Sequence, residues 1–265
     1  GHADKTTDTV PETRGVSNSG RIRADDVVIS AGDVHSLALA NSGNIRAMGG
    51  SITMAGNGLV TSEGNLNTSD TRSGRAGGSI AMFGQHVGVL DGTINASGDA
   101  DGGTVLIGGD YKGQGPHRNA SGTFISEDAA IHADALTDGD GGRVIVWADQ
   151  ATRAYGDISA RGGELGGNGG FVETSGKLYL DVNRAADVSA PMGQGGLWLL
   201  DPSNVTVQNA AGTLDGITPL FIATTDNSTV SAGVILTALD AGTSVTISTA
   251  RLFGAQDGDI TINGD

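Results

Sequence analysis

Hydrophobic residues alternate with small or polar residues along most of this chain, in short runs that follow pairs of glycines. After each of six Gly-Gly pairs, an aliphatic residue or Trp stands two positions on, and a second apolar residue or Thr follows two positions later. The first members of these runs are Ile52, Ile80, Val105, Val144, Val172 and Trp198. Strict alternation places one face of an extended strand inward, whereas an amphipathic helix needs spacings of three and four. The pattern therefore predicts β-strands.

The strands belong to a repeat. The six pairs that precede these runs begin at positions 49, 77, 102, 141, 169 and 195, so the intervals between them are 28, 25, 39, 28 and 26 residues. A repeat of roughly 25 residues that holds about three short strands is typical of one coil of a parallel β-solenoid. Coils stacked about 4.8 Å apart would place the six residues named above in one structural stack. We expect the glycines to supply positive φ where successive coils turn.

This reasoning predicts an all-β protein, a parallel β-helix of about nine coils, and the general preference of parallel crossovers predicts that it is right-handed. We interpret Gly1-His2 as the remnant of an expression tag and residues 1–19 as a flexible lead-in. Residues 20–207 form the β-helix, and an insertion at 110–121 explains the 39-residue interval. Residues 208–265 are predicted to continue the solenoid less regularly. One short helix is predicted near 231–240, with Ser231 as its N-cap and Gly242 closing its end.

Composition narrows the classes of partner. The chain has 30 acidic and 15 basic residues and a net charge of -15, which argues against nucleic acid, heparin-like polymers and anionic lipid as simple electrostatic partners. It has no Cys, so disulfides and thiol chemistry are excluded. No apolar run approaches the length of a membrane span, and no leader peptide opens the sequence. We therefore expect no membrane insertion, and a sequence that begins inside a longer protein.

Two acidic turns, at 97–103 and 137–142, are the candidate metal sites. They resemble calcium loops, but they lack both the twelfth-position Glu of an EF-hand and the nine-residue repeat of a calcium β-roll. Asp and Gly are also favoured in ordinary turns. The histidines show no spacing suited to metal ligation; they include His35, His86, His117 and His132. We predict no metal and no cofactor, with calcium in the acidic turns as the alternative.

Catalytic chemistry has little support in the sequence. Polysaccharide-cleaving β-helices need paired carboxylates, or a carboxylate beside Arg or Lys, in a groove. The two acidic doublets considered, Asp25-Asp26 and Glu127-Asp128, place neighbouring side chains on opposite faces of a strand. We therefore predict that the chain is not an enzyme and has no catalytic residues.

The insertion at 110–121 is the best candidate for a contact surface. It concentrates basic and aromatic side chains in an acidic protein, namely Tyr111, Lys112, His117 and Arg118. We expect it to project from the rod and to contact a partner. The alternative is a loop that only covers a junction between coils.

Three segments carry a family resemblance: GGDYKGQG at 108–115, GFVETSG at 170–176 and WLLDPSNVT at 198–206. In this order they resemble the passenger region of large exoproteins of bacterial two-partner secretion, the filamentous-haemagglutinin-like adhesins. The resemblance implies a right-handed parallel β-helix, export through an outer-membrane secretion pore, an extracellular location on the bacterial cell surface, and a role in adhesion.

From the repeat and the resemblance together, we predict a structural shaft segment of a secreted, surface-displayed adhesin. Its receptor or glycan on a host or neighbouring cell is not identified by any residue pattern. The alternative is a β-helix that binds or cleaves carbohydrate.

Overall fold

The computed structural model describes residues 15–32, 38–209, 227–249 and 258–263. Within these ranges the chain is wound into three sheets whose strands all pair in parallel, which confirms the prediction of a parallel β-helix. Each coil runs through a ten-stranded sheet, then a six-stranded sheet, then an eight-stranded sheet. The coils from β1 to β18 contribute one strand to every sheet. About nine coils were expected from the sequence; six are complete across all three sheets, and the described strands after β18 join only the ten-stranded and eight-stranded sheets.

The strand bounds follow, in spatial order within each sheet. The ten-stranded sheet contains β1 (Val16–Asn18), β4 (Ala38–Asn41), β7 (Leu59–Ser62), β10 (His86–Val89), β13 (Gly122–Ile125), β16 (Ala151–Ala154), β19 (Tyr179–Val182), β22 (Ser228–Ser231), β21 (Val205–Gln208) and β24 (Ile260–Ile262). The six-stranded sheet contains β17 (Asp157–Ser159), β14 (Ala130–His132), β11 (Thr93–Asn95), β8 (Asn65–Asn67), β5 (Asn44–Arg46) and β2 (Arg21–Arg23). The eight-stranded sheet contains β23 (Ser244–Ile247), β20 (Leu197–Leu200), β18 (Phe171–Gly176), β15 (Arg143–Ala148), β12 (Thr104–Ile107), β9 (Ser79–Phe83), β6 (Ser51–Gly56) and β3 (Asp26–Ala31).

The predicted stack is the central row of the eight-stranded sheet. Its members pair one above the next in the order Ile52, Ile80, Val105, Val144, Val172 and Trp198. Each is at most 1% exposed. Full burial of such a side chain contributes about 1.5–3 kcal/mol, so the repeated row provides a large share of the core. Like residues lie over like residues, as the alternation predicted.

The six Gly-Gly pairs that precede these strands do not, for the most part, have the positive φ that we expected. Of their twelve residues only Gly49 has positive φ, at 66°. The others lie where the backbones of neighbouring coils come too close for a side chain. A Cβ at Gly169, for example, would stand 1.7 Å from the carbonyl oxygen of Val188. Close approach of backbones, rather than a left-handed conformation, is therefore what requires glycine at most of these turns.

The carboxyl-terminal part contains the predicted helix, α1 (Ala232–Asp240). The Ser231 hydroxyl accepts a hydrogen bond from the Gly233 N–H, and Gly242, at φ 84°, donates its N–H to the Leu239 carbonyl. Both predicted caps are confirmed. The strand order changes here, because β22 lies between β19 and β21.

The prediction that residues 1–19 form a flexible lead-in is wrong for the last of these residues. Residues 16–18 form strand β1, which pairs with β4 as an ordinary first member of the ten-stranded sheet. Residues 1–14 lie outside the described part of the chain. The strand was missed because three residues are too few to show alternation.

Candidate functional site beneath the insertion

The insertion folds back onto the outer face of the eight-stranded sheet instead of projecting from the rod. Residues Tyr111–Gly113 form a short 3-10 turn above strands β15 and β18. The Lys112 N–H donates to both carboxylate oxygens of Glu173, at 3.3 and 3.1 Å. The Asn119 side-chain amide donates to the Gly113 carbonyl at 2.9 Å and fixes the far side of the loop.

The outer face of the sheet is mostly apolar at this point, with Glu173 as the exception, and this explains why the loop covers it. Ile145, Glu173 and Leu199 follow one another in register on the outward side and are 0%, 0% and 4% exposed. Trp147 on the same face is 5% exposed. Leaving these side chains in water would forgo the stabilisation that their burial provides, so the insertion packs over them.

Glu173 is a buried carboxyl group with apolar neighbours above and below. Burial raises the pKa of Glu173 to about 7; the negative charge of Asp201 adds to the rise, while hydrogen bonds from the Lys112 N–H and Ser175 oppose it. A fully desolvated carboxylate is disfavoured, so this group takes up its proton close to neutral pH. Its chemical role is to hold the Lys112 backbone and thus the insertion.

The raised pKa of Glu173 makes stability depend on pH. Between its ordinary value of 4.5 and about 7 the folded chain keeps a proton that the unfolded chain has lost. Stability from this group is therefore complete below pH 4.5, falls by about 3 kcal/mol as pH rises from 4.5 to 7, and stays at the lower value above that. We expect Glu173→Gln, which keeps an acceptor for the Lys112 N–H, to remove this loss. Urea denaturation on both sides of this pH range measures it.

The matched control is Glu127→Gln, at an exposed glutamate in the turn after β13. It should leave the pH profile of the parent protein nearly unchanged. If Glu173→Gln also retains the full loss of stability between the two pH values, Glu173 does not carry the proton.

A cleft of about 290 Å³ lies between the insertion and the ends of strands β18 and β20. Asp201 forms part of its wall, and the Asp201 side chain is only 3% exposed. One oxygen, Oδ2, lies 3.4 Å from the Lys112 ammonium. The other, Oδ1, is buried and accepts no hydrogen bond from any residue in the described part of the chain.

The opposite wall of the cleft is built by Trp147, Asp149 and Asn119. Asp149 Oδ1 accepts hydrogen bonds from the Trp147 indole N–H and from the Asn119 amide, both at 3.1 Å. These bonds hold the indole ring in one orientation against the loop. The cleft is thus lined by the apolar ring of Trp147, by the carboxylates of Asp149 and Asp201, and by the basic side chains of Lys112 and Lys177.

The four residues predicted as a contact surface separate into two groups. Tyr111 and Lys112 belong to the turn over Glu173, and the Tyr111 ring contacts the Phe171 ring edge-on at 5.8 Å. His117 stacks on Phe83, with ring centroids 4.2 Å apart. Arg118 donates to the Gln85 side chain. Contact with a partner through these residues stays a prediction.

The acidic turns are built as ladders between coils. Asp101 Oδ1 accepts the Asp140 N–H at 2.9 Å, Asp140 Oδ1 accepts the Asn168 N–H at 2.6 Å, and Asn168 Oδ1 accepts the Gln194 N–H at 3.0 Å. These side chains cap the turn of the next coil, as turn-forming Asp and Asn do elsewhere. Among the described residues no group of three His, Asp or Glu could hold a metal ion, and His35 lies outside them.

One constellation resembles hydrolytic machinery in composition but not in arrangement. Ser159 Oγ donates to Asp134 Oδ2 at 3.1 Å and lies 2.8 Å from His132 Nδ1. In a catalytic triad the histidine lies between the serine and the acid, where it can take the serine proton. Here the serine lies in the middle, and Asp134 is already bound by the Arg161 guanidinium at 2.9 Å. The arrangement ties neighbouring turns together.

The acidic doublets also have structural partners. Asp26 Oδ1 accepts hydrogen bonds from the Ser51 N–H at 3.0 Å and the Ser51 hydroxyl at 2.6 Å. Glu127 accepts from the Asn183 amide at 3.4 Å. Each of these contacts joins one coil to another.

Sequence reasoning missed Trp147, Glu173 and Asp201 as a group. A signal was present, because the run Val144–Ala148 is apolar without alternation, which is typical of a strand buried on both faces. That pattern predicts a cover over the outer face, and the insertion was the available segment.

No family model and no curated protein sequence matches this chain. Among the described residues no helix has the length and apolar character needed to cross a membrane.

Proposed function

We propose that this chain is a shaft segment of a bacterial exoprotein that is secreted and displayed on the cell surface as an adhesin. The observation that supports this proposal is the parallel register of the coils from β1 to β18, each of which adds one strand to all three sheets. Each coil contacts chiefly its neighbours, so the architecture can gain length by repetition. Its mechanical role is to hold a distal binding region away from the cell.

The route of export is proposed from the resemblance of three segments to two-partner-secretion passengers. In that mechanism the chain leaves through a partner pore in the outer membrane. The edge strands of a folded coil offer unpaired N–H and C=O groups to the segment that emerges next. Folding in this order would favour outward movement of the chain without another energy source.

The partner of the displayed protein is proposed to be a receptor or glycan on a host or neighbouring cell. A net charge of -15 argues against nucleic acid as a partner. Buried Glu173 and the structural bonds of Asp26, Asp134 and Ser159 are consistent with a shaft that has no catalytic role.

Surface labelling of cells that produce the intact exoprotein tests the proposal. Antibodies against residues 110–121 are expected to label unbroken cells, and external protease is expected to remove the labelling. Deleting one whole coil should leave both labelling and adherence within about twofold, because a shaft only becomes shorter. Labelling that requires broken cells, or adherence lost with one coil despite normal display, would overturn the shaft assignment.

A further inference from the structure

The outer face of the six-stranded sheet carries a basic groove where strands β2, β5 and β8 lie side by side. The middle residue of each strand, Ile22, Ile45 or Leu66, packs against the core. Successive side chains of a strand point to opposite faces, so the residues on either side of these three point outward. All six of them line a groove of about 270 Å³, namely Arg21, Arg23, Asn44, Arg46, Asn65 and Asn67.

The three arginines of this groove are exposed and have no acidic partner in the described part of the chain. Five other arginines lie between 2.5 and 3.6 Å from a carboxylate oxygen, namely Arg72, Arg75, Arg143, Arg161 and Arg184. The chain has 30 acidic and only 15 basic residues, so composition does not account for a group of arginines without a carboxylate. The groove therefore has positive charge that is available to a ligand.

Two of these arginines lie directly beside each other. Arg23 and Arg46 are paired in register on strands β2 and β5, which places their Cα atoms about 4.8 Å apart. Like charges in directly opposite positions destabilise a sheet. An anion bound by both guanidinium groups would remove this repulsion, because guanidinium forms strong paired N–H bonds to oxyanions.

The asparagines of the groove also have donors to offer and not acceptors. Asn67 Oδ1 accepts the Ser69 N–H at 2.9 Å and the Ser69 hydroxyl at 2.8 Å. Asn65 Oδ1 accepts the Thr93 N–H at 3.0 Å, and the Asn65 amide donates to Asn44 Oδ1 at 2.8 Å. The backbone N–H groups can only donate, so they fix which end of the Asn65 and Asn67 amides is the oxygen. With the oxygens engaged, Asn44 and Asn67 offer N–H groups to any further partner.

The lining selects a small anionic group. Among the described residues that line the groove none is acidic. A phosphate group carries a charge of about -1.5 to -2 and three acceptor oxygens, which suits three guanidinium groups better than the two oxygens of one carboxylate. A long polyanion fits less well, since the net charge is -15 and Asp25 lines the adjoining groove beside Arg23 and Arg46.

We propose that this groove binds the phosphate or sulfate group of a small ligand through Arg21, Arg23 and Arg46. The site is independent of the shaft assignment, since such a ligand could bind to a β-helix with any role.

Calorimetric titration of the folded protein with sodium phosphate, sodium sulfate and sodium acetate at low ionic strength tests the proposal. Phosphate or sulfate is expected to bind with a dissociation constant in the millimolar range, and acetate about fivefold more weakly or less. Arg46→Gln should weaken binding about tenfold or more, because hydrogen bonds from a charged donor are lost. Arg184→Gln is the matched control, since it removes the same charge from an arginine that is paired with Asp157 at 2.7 Å. It should bind within about twofold of the parent.

Thermal unfolding gives a second measurement. Phosphate at ten times its dissociation constant should raise the melting temperature of the parent by about 3 °C and that of Arg46→Gln by less than about 1 °C. Without phosphate, Arg46→Gln should melt no lower than the parent, because the repulsion between Arg23 and Arg46 is gone. Absence of phosphate and sulfate binding would overturn the proposal. So would acetate binding as tight as that of phosphate, or an equal loss of affinity in Arg46→Gln and Arg184→Gln.

Discussion

Deletion of residues 53–80 is expected to give a shorter protein that still folds and unfolds in one cooperative transition. In the parent, Ile52 and Ile80 are paired in register on strands β6 and β9, and the sequence GGSI occurs both at 49–52 and at 77–80. Joining Ile52 to Ala81 therefore recreates the same turn and the same alternation. One coil is lost, and the interface between its two neighbours replaces the two interfaces that it made.

Deletion of residues 53–81, one residue more, is the matched control and should be much less stable. It joins Ile52 to Met82 and places Phe83 at the inward position that Met54 has in the parent. The slip turns Met82 outward, which costs about 1.5–3 kcal/mol of lost burial, and forces the larger Phe83 into a space that fits a methionine, which costs about 1–3 kcal/mol more.

The turn before the strand cannot absorb this error. A missing residue cannot be looped out, and the turn is already tight, since a Cβ at Gly50 would lie 1.7 Å from the Asp25 carbonyl oxygen. Thermal unfolding followed by circular dichroism should show the longer deletion melting about 10 °C or more below the shorter one. Equal melting temperatures would contradict a fold specified by the register of its coils.

The side chains that point into the core could be predicted from the sequence, because successive side chains of a strand point to opposite faces. The alternation around Ile52, Ile80 and Val105 decides which side chains enter the core, and parallel stacking then places each over its equivalent. The caps of α1 were predictable for a similar reason, since Ser231 and Gly242 act through local backbone geometry.

The burial of the outward-facing side chains could not be predicted in the same way. Whether an outward residue is buried depends on what covers it, and cover comes from segments distant in sequence. Glu173 lies 61 positions from Lys112, whose N–H it accepts. Its high pKa results from burial under the insertion and not from anything local to the sequence GFVETSG. Non-alternating strands such as Leu197–Leu200 indicate that cover exists but do not identify it.

The position of β22 in its sheet could not be predicted from the sequence either. It lies between β19 and β21, so the chain adds a strand to the middle of an existing order instead of at its end. Ser228–Ser231 (STVS) has only one apolar residue, so the sequence predicted neither this strand nor the neighbours it joins. Only the pairing of Val230 with both Val182 and Val207 shows the insertion.

Trp198→Ala is expected to lower the free energy of unfolding by about 4–5 kcal/mol. Trp198 is the largest side chain of the stack and is 0% exposed. It lies in register between Val172 and Val245, so it joins the regular coils to the last strand of the eight-stranded sheet. Alanine would leave a cavity in a column that has no other residue able to fill it, since the coils above and below are fixed by their backbone pairing.

The loss has a second component, which a milder variant isolates. The Trp198 indole N–H donates to Thr174 Oγ1 at 2.9 Å, and Thr174 is 1% exposed. Trp198→Phe keeps most of the volume but removes this donor, so we expect a loss of about 1–2 kcal/mol. Adding Thr174→Val to Trp198→Phe should recover part of that loss, because no polar group then remains without a partner.

Urea denaturation of these variants, followed by far-ultraviolet circular dichroism, gives the three free energies on one scale. Trp147→Phe is the control for loss of an indole outside the stack. The Trp147 indole N–H donates to the exposed Asp149. Water can replace that bond, so the cost should be smaller than for Trp198→Phe. A Trp198→Ala protein within about 1 kcal/mol of the parent would mean that the column is not close-packed at its widest point, because only a site free to collapse escapes the cost of the cavity.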